Sequence, residues 1–240
     1  MKEEKTKTEI KDIYILTRID VGGGCIRFCD IVERCTNPAI IDYEKDIPIS
    51  KINEINQKNC NSLIYKNNID GLYPVFVGVD KNNNIRKIII EANHESLDEL
   101  VASKEVMHDQ FFNKEIKFKN VFNAKRIKLF DFKLKSGFIY LGEGSYDPFE
   151  RPWHQDCLDQ VEDFKKNNFL TFSLEQDLPS FVMAFNKGSY PVYSYSFSAR
   201  DKSESGESDY VNIVIEDLDG CRLNQSKNNI VLEKVDVKLK

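Results

Sequence analysis

Two extended motifs each occur twice in this sequence in the same order, and this repetition constrains the fold more than any other feature. A glycine-containing stretch with alternating apolar residues occupies positions 19–30, and its counterpart occupies positions 132–143, an offset of 113 residues. A Gly-x-Tyr-Pro-Val element follows at 71–75 and recurs at 188–192, an offset of 117 residues. Repetition at this spacing indicates that one structural unit occurs twice in tandem.

The repeated motifs have the patterns of β-strands and turns. In the first motif, apolar residues alternate on both sides of the glycines, which predicts a β-hairpin with a glycine turn. A third and shorter repeat, at 88–91 and 213–216, is an apolar strand that follows a polar turn and ends in glutamate. Proline has no N–H to donate, so Pro74 and Pro191 are predicted at the start or edge of a strand.

Three segments have the periodicity of helices. A capping box at 96–99 begins one predicted helix, whose apolar positions continue to Met107. Pro152 begins a second, and a shorter helix is predicted at 50–59. The sequence therefore predicts an α+β fold that is mainly β, with two tandem β-rich units from an internal duplication and a short helix inserted in each. The predicted units are residues 1–93 and 116–240, joined by a connecting helix at 94–115.

Composition limits the classes of partner. The 240-residue chain has a formal net charge of -5, which disfavours nucleic acid because phosphate binding requires a basic face. No apolar run approaches the roughly 18–20 residues of a membrane span, and the N-terminus has no apolar stretch of the kind a secretory signal needs. Six cysteines are too sparse for a disulfide scaffold of this length. We therefore expect a cytoplasmic protein with buried thiols and no membrane partner.

One short segment suggests catalysis. His154 and Cys157 are three residues apart, close enough on a helix to touch, and a thiolate activated by that histidine would be a nucleophile. Cys157 also belongs to an apolar helical stripe, so the alternative is that it and Trp153 cover the core or an interface. An enzyme built on this chain would use His154 and Cys157 with carboxylates such as Asp30 or Asp147, at the seam between the units.

Two further patterns resemble metal sites but have the wrong spacing or residues. The first is a set of four cysteines without the paired spacing of structural zinc sites, at positions 25, 29, 35 and 60. The second, at 80–91, has oxygen-bearing residues at several positions of a calcium loop, but Ile85 stands where the sharp turn requires glycine. We therefore predict no metal and no cofactor.

Aromatic residues along the predicted strands, together with an acidic segment between two strands, favour protein binding. Aromatic side chains are enriched both in strands and in interface cores, so these residues fill the core or form a partner surface. The acidic segment is either simply solvated or attracts a basic protein partner. The candidate binding residues are Tyr73, Phe76, Tyr190, Tyr193, Tyr195, Trp153, Glu204, Glu207 and Asp209.

Two of the motifs also carry a resemblance. The stretch at 24–30, which ends in Cys-Asp, together with the Gly-x-Tyr-Pro-Val element at 71–75, resembles a bacterial family of unknown function with Gly-x-Leu-x-x-Cys-Asp-Pro and Gly-x-Tyr-Pro-Val stretches. Ile31 stands where that family has proline, and the second unit keeps its element at 188–192 but lacks Cys-Asp. The resemblance implies no catalytic residues.

These observations favour a non-catalytic cytoplasmic module that binds a protein, such as a toxin-neutralising immunity protein or a defence-linked inhibitor. The alternative is the enzyme with its site at the seam between the two units. Alanine substitution of His154 and Cys157 separates the two hypotheses, because the binding hypothesis gives neither residue a chemical role.

Overall fold

The structure, a computed structural model, describes residues 9–21, 25–30, 39–42, 61–66, 71–91, 121–143, 169–174, 178–200, 207–223 and 232–234. These residues form thirteen strands. The strands are β1 (Asp12–Val21), β2 (Cys25–Asp30), β3 (Ala39–Asp42), β4 (Ser62–Lys66), β5 (Gly71–Val79), β6 (Ile85–Glu91), β7 (Val121–Leu134), β8 (Phe138–Glu143), β9 (Phe169–Leu174), β10 (Leu178–Ala184), β11 (Gly188–Arg200), β12 (Glu207–Ile215) and β13 (Glu233–Lys234).

The prediction of a mainly β protein is confirmed. The helices predicted at 50–59, at 94–115 and after Pro152 lie outside the described residues. None of the described residues form a helix of the length and apolarity that crossing a membrane requires.

The strands form two sheets with a shared core between them. The seven-stranded sheet has the order β13-β1-β5-β6-β12-β11-β7, and the six-stranded sheet has the order β3-β4-β2-β8-β10-β9. Every strand pair is antiparallel except β3 with β4. The largest apolar cluster contains residues from both sheets and from both halves of the chain, so the two predicted units share one core.

The first motif of each unit does not form a hairpin, and this prediction was wrong. β1 pairs with β5 and β13, whereas β2 pairs with β4 and β8, so the glycine segment carries the chain from one sheet to the other. The same change of sheet separates β7 from β8, where Gly137 has φ +94. The alternation of apolar residues was read correctly as strand, but it does not specify which strand is the hydrogen-bonded neighbour.

The second and third motifs do form hairpins, β5 with β6 and β11 with β12. Pro74 pairs with Arg18 of β1, and the described pairing of β5 with β6 begins only at the next residue, Val75. Pro191 has the equivalent position in β11, one residue before its pairing with β12 begins. Each proline therefore lies where the pairing of its strand with the next one ends, consistent with its missing N–H. The Pro191 carbonyl still accepts a hydrogen bond from the Glu216 N–H over 3.0 Å.

Each of the strands β1–β6 has a counterpart six strands later, among β7–β12. Apart from β13, each sheet then has the same order of matched strands whether it is followed from one end or from the other. The register also matches: Tyr73 pairs with Ile19, and Tyr190 pairs with Phe132. In both units the register shifts at the second residue after this tyrosine. The peripheral strands differ, because β3 and β4 are parallel whereas β9 and β10 are antiparallel.

The seven-stranded sheet buries side chains on both of its faces. On its inner face, residues such as Val75, Ile90 and Val192 belong to the shared core. On its outer face, a smaller buried cluster contains Ile10, Ile13, Phe76, Ile89 and Val214. The polar groups beside this smaller cluster form the candidate site.

Candidate binding surface

Glu216 follows β12 directly, and its carboxylate lies on the outer face of the seven-stranded sheet. The side chain is only 4% exposed. Tyr195 donates its O–H to Oε1 over 2.7 Å, and the Lys87 ammonium lies 3.2 Å from the same oxygen. Arg126 Nη2 donates to Oε2 over 2.6 Å. A buried carboxylate costs free energy unless it is paired, and here both of its oxygens accept hydrogen bonds.

The electrostatics of this group follow from burial opposed by charge pairing. Burial alone would raise the pKa of Glu216, but Lys87, Tyr195 and Arg126 together hold that pKa below its ordinary value. Burial and the neighbouring Glu216 charge raise the pKa of Tyr195, so its phenol remains protonated as a donor. Burial would lower the pKa of Arg126, but Glu216 and the tyrosines raise it. Near neutral pH, Glu216 is therefore ionised, and Tyr195 and Arg126 keep their protons as donors.

Arg126 extends this buried cluster to the surface. Its guanidinium carbon lies 3.6 Å from the ring centroid of Tyr193 and 5.5 Å from that of Tyr195. Its Nε donates to the Tyr195 hydroxyl, and 34% of the side chain is exposed. In the β7–β11 ladder Arg126 pairs with Tyr195, and Lys128 pairs with Tyr193, which places all four on neighbouring strands. We call these four residues the Tyr–Arg patch.

The structure places the five aromatic binding candidates that it describes at different depths. Tyr73 and Tyr190 are in the shared core, and Phe76 is buried in the outer cluster, so these three rings are inside the molecule. Tyr193 and Tyr195 are half-buried on the outer face, with 6.4 Å between their ring centroids. Of the five aromatic candidates, these two contribute to the candidate surface.

The other predicted site residues cannot be placed in the same way. Glu207 and Asp209 lie in β12, where their backbones pair with Arg200 and Ser198. The remaining candidates lie outside the described residues: Trp153, His154, Cys157 and Glu204, together with Asp147.

Asp30, which the enzyme hypothesis uses as a carboxylate, has a structural role. It is fully buried, and its Oδ2 accepts hydrogen bonds from the backbone N–H groups of Lys135 and Ser136, both over 2.8 Å. These amides belong to the turn between β7 and β8. The aspartate of the first unit therefore fixes the glycine turn of the second.

The structure describes parts of the two patterns that resembled metal sites. Cys25 and Cys29 are buried, and Cys35 and Cys60 lie outside the described residues. Cys221 is buried as well, and burial raises its pKa to about 12. Asp80 accepts hydrogen bonds from the backbone N–H groups of Asn82 and Asn84. In the described part of the chain no group of histidine, cysteine and carboxylate side chains could hold a metal ion.

Asp80 also begins a second polar cluster, which joins the β5–β6 turn to the segment after β12. Arg86 donates to Asp80 over 2.9 Å and to Asp219 over 2.6 Å. Asp219 in turn accepts a hydrogen bond from the Asn186 amide over 2.9 Å. Burial would raise the pKa of Asp80, but the donors from Asn84, Arg86 and Asn82 outweigh it and lower that pKa to about 2. This cluster connects the β5–β6 turn to the segment after β12, with Asp219 and Asn186 exposed.

Sequence reasoning did not identify Arg126, Lys87 or Glu216 as functional residues. A signal was present, because β7 alternates basic and apolar residues and the repeated apolar strand ends in glutamate. What was missing was the pairing of β6 with β12, which brings Lys87 to Glu216 across 129 residues of sequence. In comparisons with protein-family models, curated proteins and solved structures, none matches this chain.

Proposed function

We propose that this chain is a non-catalytic module that binds another protein through the Tyr–Arg patch. The observation that carries the proposal is the guanidinium of Arg126, held over Tyr193 by the buried Glu216 and partly exposed. Tyrosine and arginine dominate the binding energy of many protein interfaces. A side chain already held in place loses little conformational entropy on binding.

The kind of role we propose is that of a toxin-neutralising immunity protein or a defence-linked inhibitor, which acts by occupying its partner. We propose a cytoplasmic location, supported by the sequence, whose six cysteines in 240 residues are too sparse for a disulfide scaffold. A basic partner for the acidic segment at 204–209 remains a prediction from the sequence, as does the resemblance to the bacterial family.

We also propose that the two units arose by tandem duplication. The matched strand order, the equivalent Tyr73–Ile19 and Tyr190–Phe132 pairs, and the equivalent register shifts support this origin. The central pairs support it too. Phe28 pairs with Leu141, its counterpart at the 113-residue offset, and Ile89 pairs with Val214, its counterpart in the repeated apolar strand. Two copies related by a twofold axis would pair in this way.

Affinity capture with matched variants tests the binding proposal. The tagged full chain, Tyr193→Ala and Lys81→Ala are used in parallel to capture proteins from the native host lysate. Lys81 is an exposed residue of the β5–β6 turn and serves as the control. We expect one stoichiometric partner with the wild type and with Lys81→Ala, and its loss with Tyr193→Ala. A wild-type chain that captures no partner, or a partner retained equally by all three, contradicts the proposal.

A further inference from the structure

β7 ends the seven-stranded sheet. Among the described strands it pairs with β11 alone, so the backbone N–H and C=O groups of its other side point away from the sheet. The strand is long, Val121–Leu134, and Arg126 and Lys128 on it are exposed. An edge of this kind can pair with an extended segment of another chain.

The charged side chains along β7 are mainly basic. Residues 126–135 contain four basic side chains and a single acidic one, Asp131, in a chain whose formal net charge is -5. Lys128 donates to Asp131 over 2.9 Å, and Lys133 donates to the Ser189 hydroxyl over 2.7 Å. An ammonium has three N–H donors, so each lysine keeps capacity for a further acceptor. Positive charge concentrated on one strand favours an acidic ligand.

We propose that an extended acidic segment of the partner protein adds to the edge of β7 that no described strand covers, with its carboxylates on Arg126, Lys128 and Lys133. This inference rests on the proposed function, because it names the partner segment for the same surface. Backbone hydrogen bonds to β7 provide affinity, and the basic side chains select carboxylates at alternate positions of the segment. The Tyr193 ring supplies the apolar contact beside them.

Arg126 is the anchor of this arrangement. Its Nε and Nη2 donate to Tyr195 and Glu216, and among the described residues its Nη1 donates to none. The buried carboxylate therefore fixes the guanidinium plane and leaves one nitrogen for a ligand carboxylate. Guanidinium–carboxylate hydrogen bonds are among the stronger and more directional ones in proteins.

Two other occupants fit less well. A second copy of the chain, paired β7 to β7, would bring the same basic side chains together, and like charges across a strand pair are destabilising. Nucleic acid would have to approach a chain of net charge -5, at a strand where Asp131 lies between Lys128 and Lys133. Both occupants are outcomes of the test.

Peptide binding to the full chain, measured by fluorescence anisotropy, tests the inference. The probe is a fluorescein-labelled peptide in which glutamate alternates with valine. One comparison peptide has lysine for glutamate, and another has proline for alternate valines, which removes backbone donors. We expect the glutamate peptide to bind, and its affinity to fall with added salt. The proline peptide should bind about tenfold more weakly, and the lysine peptide should not bind.

A charge-reversal variant locates the binding. Lys128→Glu combined with Lys133→Glu should lower the affinity for the glutamate peptide at least about tenfold. Lys81→Glu reverses one charge at an exposed site outside β7 and should change the affinity for the glutamate peptide little. Circular dichroism verifies that each variant is folded. Equal affinity for the wild type and the β7 variant, or tighter binding of a labelled single-stranded oligonucleotide than of the peptide, would overturn the inference.

The remaining outcomes separate this inference from the proposed function. If Tyr193→Ala loses the native partner but the wild type does not bind the glutamate peptide, the protein-binding role stands. The inference that the partner contributes an acidic segment is then wrong. The inference is also overturned if the wild type does not bind the peptide and the double variant Lys128→Ala with Lys133→Ala self-associates. The two lysines would then serve to prevent the edge from pairing with other chains.

Discussion

Glu216 shows how strongly one residue can determine a surface in this protein. Its carboxylate is buried, and Lys87, Tyr195 and Arg126 all direct donors at it. The Lys87 ammonium is only 3% exposed, and this carboxylate is an anion paired with it. Breaking a buried pair by removing one partner leaves the other charge uncompensated, which costs far more than the pair contributes.

We predict that Glu216→Gln lowers the free energy of unfolding by about 3 kcal/mol, because it removes the buried anion that pairs with both Lys87 and Arg126. Urea denaturation followed by circular dichroism measures the change. Lys128→Gln is the control, since its ammonium is 49% exposed and its ion pair contributes less than about 1 kcal/mol. Similar losses in the two variants would contradict the assignment of Glu216 as a buried structural anion.

The ionisation of Asp80 makes the free energy of unfolding depend on pH in the acid range. Its pKa in the folded chain is about 2, below the ordinary value of 3.8, so the folded state favours the ionised carboxylate. Its contribution, about 2 kcal/mol, is fully present above about pH 5 and is lost as the pH falls towards 2. Glu216, whose pKa is also lowered, acts in the same direction. We expect Asp80→Asn to flatten the dependence of the urea midpoint on pH between 5 and 2. An unchanged slope in Asp80→Asn would show that other carboxylates carry the effect.

At the scale of elements, the segment after β12 depends on one glycine. Gly220 has φ +96, a conformation that side chains with a Cβ rarely adopt. A Cβ added there would lie 2.6 Å from the backbone nitrogen of Asn186, which donates a hydrogen bond to the Asp219 carbonyl. The close approach connects the turn before β11 to this segment, whose Leu218 and Cys221 belong to the core.

We predict that Gly220→Ala destabilises the protein by about 2 kcal/mol or more, because both the backbone conformation and the contact with Asn186 oppose a methyl group. Gly188→Ala is the matched control. A Cβ on Gly188 would meet only the Tyr190 side chain, at 3.4 Å or more, and its effect should stay within about 1 kcal/mol. Thermal unfolding of the two variants provides the comparison, and equal shifts in Tm would refute the argument.

At the scale of the whole molecule, the two units are joined through both sheets. β6 pairs with β12 in one sheet, and β2 pairs with β8 in the other. Phe28 of the first unit packs against Phe130 and Phe132 of the second, with ring centroids 6.4 and 5.2 Å apart. Neither half can therefore lose its strands without exposing the apolar surface of the other.

We predict a single cooperative unfolding transition for this chain, although chains longer than about 150 residues often unfold in steps. Urea unfolding curves from far-ultraviolet circular dichroism and from intrinsic fluorescence should coincide. Phe28→Ala should lower the shared midpoint, with a loss of about 3–5 kcal/mol, without splitting the transition. Two separated transitions would mean that the halves are independent lobes.

Much of the local structure was predictable from the sequence. The repeated Gly-x-Tyr-Pro-Val elements and the apolar strands after polar turns were assigned to strands, and they form β5, β11, β6 and the end of β12. The candidate surface was predictable only in part, through Tyr193 and Tyr195. Arg126 and Glu216 could not be connected from sequence alone, because they come together through strands 90 residues apart in the chain.

The sequence by itself determined that the repeated motifs are strands and which of their residues share a strand face, because alternation with a period of two is a local property. Only the tertiary structure decided that the glycine turns connect opposite sheets and that β6 pairs with β12. It also decided that Tyr73 and Tyr190 are buried while Tyr193 is partly exposed. Pairing between distant strands depends on how apolar faces from the entire chain pack against one another, and no local pattern contains that information.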